Sequence, residues 1–237
     1  MPYQYTSAVR YSEAGEDRKL TIPGLVNYFQ DCSTFQSEEL GNSIDTMKQL
    51  GKVWVLAGWQ IEIRALPALG DRVLTETWPT SFQGFQGQRN YRMLDEQGND
   101  IAYANSLWIY VDLNTGHPAR IDREVRDAYT PEPDLEMGKM ARKIILQEEG
   151  EWLPSFAVRK RDLDTNHHVN NASYIAYACE YLRAPEKVEG LRVEYRSAAY
   201  YGDQIVPFTA EQNGRLTVGL CDEGKKPYAI VEFRMKE

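Results

Sequence analysis

Apolar and polar positions along this chain follow two rhythms. Between Ile22 and Leu40 the apolar residues Leu25, Phe29 and Cys32 recur at the spacing of one helical face. Thr21 can cap such a helix, Pro23 suits its first turn, and Gly41 can end it. The runs from Tyr5 to Tyr11, Val53 to Ile63, Arg72 to Trp78, Gln88 to Asp95 and Ile101 to Leu113 read as strands. The stretch DEQG, 95–98, is a turn signal between two of them.

Residues 122–150 break this order. The stretch TPEPDLEMG mixes prolines, acids and a glycine, and reads as a linker. The earlier order then returns. A strand is predicted from Ser155 to Arg161 and a helix from Asn171 to Leu182. Strands follow at Leu191 to Arg196, Ile205 to Gln212, Leu216 to Cys221 and Tyr228 to Met235. The repetition reaches individual residues. IEIRALPALGD (61–71) aligns without gaps to VEYRSAAYYGD (193–203), with Glu, Arg, Gly and Asp in shared columns. Val9 and Val158 each stand nineteen residues before a tyrosine, Tyr28 and Tyr177. The DEQG turn has a counterpart in DEG, 222–224. This predicts two repeats, 1–121 and 151–237, joined by 122–150.

Strands joined by tight turns pair antiparallel. One helix followed by such a meander gives an α+β unit, with the helix packed on one face of a curved sheet. The second helix is apolar nearly all round and rich in small residues such as Ala172, Ala176 and Ala178. A helix gripped by a sheet requires that. Glu180 is its chief polar interruption, either a partner for a loop donor or a surface residue.

The candidate chemistry lies just before that helix. His167 and His168, two of the three histidines in the chain, stand side by side among Asp162, Asp164, Asn166, Asn170 and Asn171. Asn170 or Asn171 can cap the helix, whose start presents free N–H groups and a partial positive charge. A carboxylate there can act as base or nucleophile, an imidazole can move a proton near neutral pH, and an amide can orient water or substrate. Together these are the parts of a hydrolase acting on an acyl group. The same residue types also favour loops and caps without any catalysis. Asp162 fits a solvated turn residue equally well, and His167 should point away from its neighbour and matter less. The equivalent stretch of the first repeat, YSEAGEDRKLTIPG, has acids but no histidine or asparagine, so one active site per chain is expected. His117, before Pro118, reads as a structural turn residue. Trp54 and Trp59 fit core or pocket lining equally, and Cys179 reads as core.

Composition narrows the field. Hydrophobic content of 42% with 26% charged residues is that of a globular protein with a full core. A net charge of −8 argues against nucleic acid as a partner. The three scattered cysteines fit a reducing compartment, and the cytoplasm is expected. No CxxC pair occurs, and adjacent histidines lack helical ligand spacing, which argues against zinc. No secretory signal and no membrane span are expected.

DLDTNHHVNNASY, Asp162 to Tyr174, resembles the signature D-x-D-x-N-x-H-V-N-N-x-x-Y of acyl-acyl-carrier-protein thioesterases, in which an acid follows a few residues on, here Glu180. IPGLVNYFQD (22–31), WVLAGWQIEI (54–63), GDRVLTETWP (70–79) and SLWIYVDLNTGHPARI (106–121) resemble the same family, in its bacterial type. The resemblance implies two hotdog folds in tandem and hydrolysis of fatty acyl thioesters on acyl carrier protein, with no metal or nucleotide cofactor. It implies catalytic roles for Asp164, Asn166 and His168. Asp164 either orients or activates water or attacks directly; His168 assists proton transfer or binds the thioester carbonyl; Asn166 positions these groups. The first repeat is implied to supply scaffold and acyl pocket. One departure stands out: where plant members carry a further glutamate and a cysteine after the shared E-Y-R, this chain has Ala198 and Ala199. An acidic carrier would need a local basic patch, for which Arg159, Lys160, Arg161, Arg183, Lys187 and Arg192 are candidates. A coenzyme A thioesterase and a non-catalytic acyl-binding hotdog protein are the alternatives. A duplicated chain fits either a monomer or a homodimer.

Overall fold

The computed structural model describes residues 1–138, 140 and 143–236. The chain divides into two compact units, Met1–Ala57 with Arg64–Lys139, and Gly58–Ile63 with Met140–Glu237.

The first unit opens with β1 (Tyr3–Ala8), followed by α1 (Ile22–Glu39) and α2 (Ile44–Gln49). It continues through the start of β2 (Lys52–Ile63), β3 (Arg72–Gln83), β4 (Gln86–Leu94), β5 (Asp100–Asp112) and α3 (Arg123–Asp127). β1 pairs antiparallel with β3, β3 with β4, and β4 with β5. α1 begins as its sequence predicts. Thr21 accepts a hydrogen bond from the Gly24 amide at 3.1 Å, Pro23 lies in the first turn, and Gly41 beyond the end has a φ of +77°. The helix lies against β1 and β3 and buries Leu25, Val26, Phe29 and Cys32.

Three features depart from the sequence expectations. α2 and α3 are short helices that the periodicity does not announce; they bury Met47 and Val125 against Tyr110 and Ile121. β3 continues past Trp78, because a register shift between Pro79 and Ser81 absorbs the proline. Within 122–150, beyond α3, backbone groups dock at several points. The Trp78 indole donates to the Pro133 carbonyl at 2.9 Å, and the Leu135 amide donates to Asn90 Oδ1 at 2.9 Å. Ile144 is buried, and its amide donates to Glu194 Oε2 at 2.6 Å.

The second unit contains β6 (Glu151–Trp152), β7 (Phe156–Ala157), α4 (Asn171–Cys179), β8 (Val188–Tyr195), β9 (Gln204–Gln212), β10 (Arg215–Cys221) and β11 (Pro227–Met235). The Gly58–Glu62 part of β2 pairs with β8, β8 with β11, β11 with β10, and β10 with β9. β6 and β7 each pair with β9. Gly58 is required by this pairing, since a Cβ there would stand 2.6 Å from the Val193 carbonyl oxygen. α4 packs on β10 and β11 and buries Ala172, Tyr174, Ile175 and Ala178. Each unit is thus a helix on an antiparallel sheet, the α+β architecture read from the sequence.

Two second-repeat elements are shorter than the pattern predicts. Only Phe156–Ala157 of the expected strand from Ser155 to Arg161 pairs with a neighbour. The Asp162 carboxylate accepts the Arg159 amide at 2.8 Å and draws Lys160–Asp162 into a tight turn. The helix expected to reach Leu182 stops at Cys179, three residues earlier. Its last turn tightens through Tyr181 N–H to Ala178 O and Leu182 N–H to Cys179 O, and Pro185 bars continuation.

Candidate active site

The loop from Val158 to Asn170 is built mainly by backbone bonds. The Asp164 amide donates to the His168 carbonyl at 2.8 Å, and the His167 amide donates to the Asp164 carbonyl at 3.1 Å. His167 sits at the corner with a φ of +62°, so its side chain leaves the loop in a different direction from that of His168. The Val169 amide donates to the Ala199 carbonyl at 2.9 Å, and the Asn170 amide to the Asp162 carbonyl at 2.8 Å. Asn170 then caps α4, accepting from the Ala172 amide at 2.8 Å.

The Asp164 carboxylate is part of this frame. Its Oδ1 accepts the amides of Asn166 at 2.7 Å and His168 at 3.3 Å. Among the described residues Oδ2 has no protein partner. Asp164 and His168 are half-buried, while Asn166 and His167 are exposed. The His168 ring meets the Tyr200 ring edge-on, with centroids 5.1 Å apart and planes at 86°, and the two residues also form a backbone bridge. The structure therefore brings Asp164, Asn166 and His168 into one turn and adds Tyr200, which the sequence reading missed. A signal for it existed: the aligned columns that read Ala68-Leu69 in the first repeat read Tyr200-Tyr201 in the second.

Asp162 is more than a solvated turn residue. Its carboxylate holds the Arg159 amide, and its carbonyl accepts both the Asn170 amide and the Ser173 hydroxyl, the latter at 3.1 Å. Burial, and next the Asp162 carboxylate it faces, push the Tyr177 hydroxyl up. That hydroxyl is buried and makes no hydrogen bond among the described residues. The helix start is largely spoken for: the amides of Ala172, Ser173 and Tyr174 all go to Asn170. Direct donors to an oxyanion must therefore come mainly from side chains, with the helix end contributing its partial charge.

The first unit holds the same loop without the same chemistry. Adding 149 to a residue number maps one loop onto the other. Gly15 N–H donates to Lys19 O at 2.8 Å, Arg18 N–H to Gly15 O at 2.9 Å, and Thr21 N–H to Glu13 O at 3.0 Å. These bonds match those of Asp164, His167 and Asn170. Arg18 has a φ of +63°, as His167 has +62°. Tyr28 donates to Glu13 at 2.8 Å, where Tyr177 faces Asp162. Asp164, Asn166 and His168 are replaced by Gly15, Asp17 and Lys19.

The remaining candidates sort themselves. Burial pushes the half-buried Cys179 thiol up to about 12, which leaves no thiolate nucleophile at neutral pH. Glu180 is exposed at the end of α4 and lines a pocket of about 320 Å³ with Arg159, Asp162 and Tyr177. Ala198 is exposed, so no carboxylate stands in that column; Ala199 is buried, and its amide donates to the Tyr174 hydroxyl at 2.9 Å. Trp59 is buried in the second unit, whereas Trp54 stacks on Tyr110 and Phe82 in the first. His117 is exposed, in the turn where its carbonyl accepts the Asp112 amide. The basic residues separate: Arg159, Lys160 and Arg161 flank the loop, Arg183 and Lys187 lie beyond the other end of α4, and Arg192 is half-buried and paired with Glu232. Among the described residues no group of His, Cys, Asp and Glu forms a metal site, and no helix is long and apolar enough to cross a membrane.

Solved structures share this architecture. An acyl-ACP thioesterase from Bacteroides thetaiotaomicron superposes with a TM-score of 0.89 at 22% identity, over 98% of this chain and 97% of that one. A 12:0-ACP thioesterase from Umbellularia californica gives 0.87 at 21%, over 99% and 97%. The fold is thus the hotdog fold in tandem, with a polar loop before the second helix. Family models described as the acyl-ACP thioesterase N-terminal domain and C-terminal domain match residues 2–129 and 147–227. The chain belongs to the acyl-ACP thioesterase family. A curated relative, the chloroplastic oleoyl-acyl carrier protein thioesterase 2 of Arabidopsis thaliana, is 29% identical over 89% of this chain. The chain spans 63% of that relative's length.

Proposed function

We propose that this chain hydrolyses fatty acyl thioesters carried on acyl carrier protein, releasing free fatty acid and the carrier thiol in fatty acid biosynthesis. Asp164, Asn166 and His168 are its catalytic residues. One observation carries the reading: of two loops closed by the same backbone bonds, only the loop before α4 bears an acid, an amide and an imidazole. Membership of the family and the activities named for its relatives support it.

In this mechanism water adds to the thioester carbon, the C–S bond breaks, and the proton lost by water ends on the carrier sulfur. Asp164 acts through Oδ2, because Oδ1 is committed to the loop amides. His168, held against Tyr200, moves the proton to the leaving sulfur. The Asn166 amide, exposed and uncommitted among the described residues, steadies the charge that develops on the carbonyl oxygen. The partial positive charge at the start of α4 assists. Three free thiols fit the reducing conditions of the cytoplasm.

The test is thiol release by the purified chain on acyl carrier protein and coenzyme A thioesters over a range of acyl lengths. Faster turnover of carrier-bound substrates is expected. Faster turnover of the coenzyme A series would move the assignment to a coenzyme A thioesterase, and no release from either would refute hydrolysis. A single turnover in ¹⁸O-water probes the role of Asp164: label entering its carboxylate marks direct attack with hydrolysis at the aspartyl carbonyl, whereas trapping of an acyl-aspartyl anhydride by hydroxylamine would mark direct attack whichever carbonyl water then meets.

A further inference from the structure

The two loops differ in a second respect that their shared backbone does not require. Both open on an arginine. In the first unit Arg10 is followed by Tyr11 and Ser12, and its guanidinium is closed onto Glu13, with Nε at 3.0 Å. In the second unit Arg159 is followed by Lys160 and Arg161, and all three are exposed. Asp162 is one methylene shorter than Glu13 and is taken up by the Arg159 amide; the Arg159 guanidinium makes no ion pair among the described residues. Arg161 is 76% exposed and approaches Asp162 only to 3.7 Å.

Beside these cations the second unit exposes aromatic surface. Tyr200 and Tyr201 are 52% and 61% exposed, where the first unit has alanine and leucine. The Lys160 ammonium lies 5.5 Å from the Tyr201 ring centroid, and the Tyr200 ring touches His168. A merely solvated face accounts for the three cations but not for two large exposed rings among them. Tyrosine and arginine are the residues that contact surfaces favour. This surface also borders the loop that bears Asp164.

We propose that Arg159, Lys160, Arg161, Tyr200 and Tyr201 form the surface on which an acidic carrier domain docks to deliver its thioester. The inference rests on the thioesterase reading and adds the place of contact. A chain of net charge −8 repels an acidic partner at long range, so a local patch has to supply the attraction. Arg183 lines a different cleft, beside Gln212–Arg215 at the end of β9 away from Tyr200 and Tyr201, and Lys187, whose carbonyl accepts the Lys236 amide, is left out of the patch with it.

The experiment measures binding of unacylated holo acyl carrier protein, so its outcome does not depend on hydrolysis. The K160E/R161E pair should weaken binding by about tenfold or more. R183E/K187E makes the same change in net charge and should leave the affinity as it was. Unchanged binding in K160E/R161E, or equal losses in both pairs, would overturn the proposal. Wild-type protein gives a second reading free of any folding defect. Raising salt from about 50 to about 500 mM should weaken binding, and a salt-independent affinity would also overturn the proposal.

Discussion

Asp164 and His168 hold each other through the backbone: the Asp164 amide donates to the His168 carbonyl at 2.8 Å, and the His168 amide donates to Asp164 Oδ1 at 3.3 Å. The acid and the imidazole are thereby fixed on one small ring before any substrate arrives. Gly15 and Lys19 make the first of these bonds in the other repeat, where the Lys19 amide donates instead to Asp17 Oδ1 at 3.0 Å. The frame is common property of the duplication, and the chemistry was placed on one copy.

The His168 ring rests on the edge of Tyr200 and makes no hydrogen bond to the described residues. Contact between the rings, rather than the tyrosine hydroxyl, sets its direction. Tyr200→Phe should keep kcat at saturating substrate, whereas Tyr200→Ala should lower it about three- to tenfold, the worth of one aromatic pair. Steady-state kinetics separate this from docking, since loss of carrier contact raises KM. Equal kcat in both variants would remove Tyr200 from a positioning role.

Gly58 lets β2 approach β8 within the second unit, and any added Cβ meets the Val193 carbonyl at 2.6 Å. Gly58→Ala should cost about 1–3 kcal/mol, because backbone rather than a flexible side chain must give way. Denaturant unfolding of the two proteins checks this. Equal midpoints would mean that the strand pairing tolerates a shift.

Burial raises the thiols of Cys32 and Cys221 from an ordinary 9.0 to about 12 and about 11. Both side chains are fully inaccessible. The unfolded chain ionises these thiols above pH 9 while the folded chain keeps them protonated. Stability is therefore complete below pH 9 and falls as pH rises toward 11 and 12. The slope is about 1.4 kcal/mol per pH unit for each thiol. Unfolding free energies across pH 8 to 12 should show the decline, and a Cys32→Ala variant should show a shallower one. A flat profile would contradict the assigned burial.

What the sequence disclosed was what local chemistry dictates. Thr21, Pro23 and Gly41 mark α1 because cap, first turn and exit each select a residue type. Gly70 and Gly202 align because each takes a positive φ, and Asp71 and Asp203 because each accepts the amide three residues earlier, at 2.7 and 2.8 Å. Spacing made the two loops equivalent, but their shared bonding was hidden because backbone amides and carbonyls build it, so Gly15 can stand for Asp164 and Lys19 for His168. The tight turn at Lys160–Asp162 escaped periodicity because one carboxylate, on Asp162, outbid the sheet for the Arg159 amide. Tyr200 reaches His168 only through the fold, and strand patterning carries no trace of that contact.

The central claim is that the loop before α4 is a catalytic site turning on Asp164. Asp164→Asn tests it most directly, because the amide oxygen can still accept the two loop amides while the negative charge is gone. Thiol release from acyl carrier protein thioesters should fall at least about 100-fold with an unchanged melting temperature. Turnover within a few-fold of wild type, in a variant that melts normally, would contradict the account.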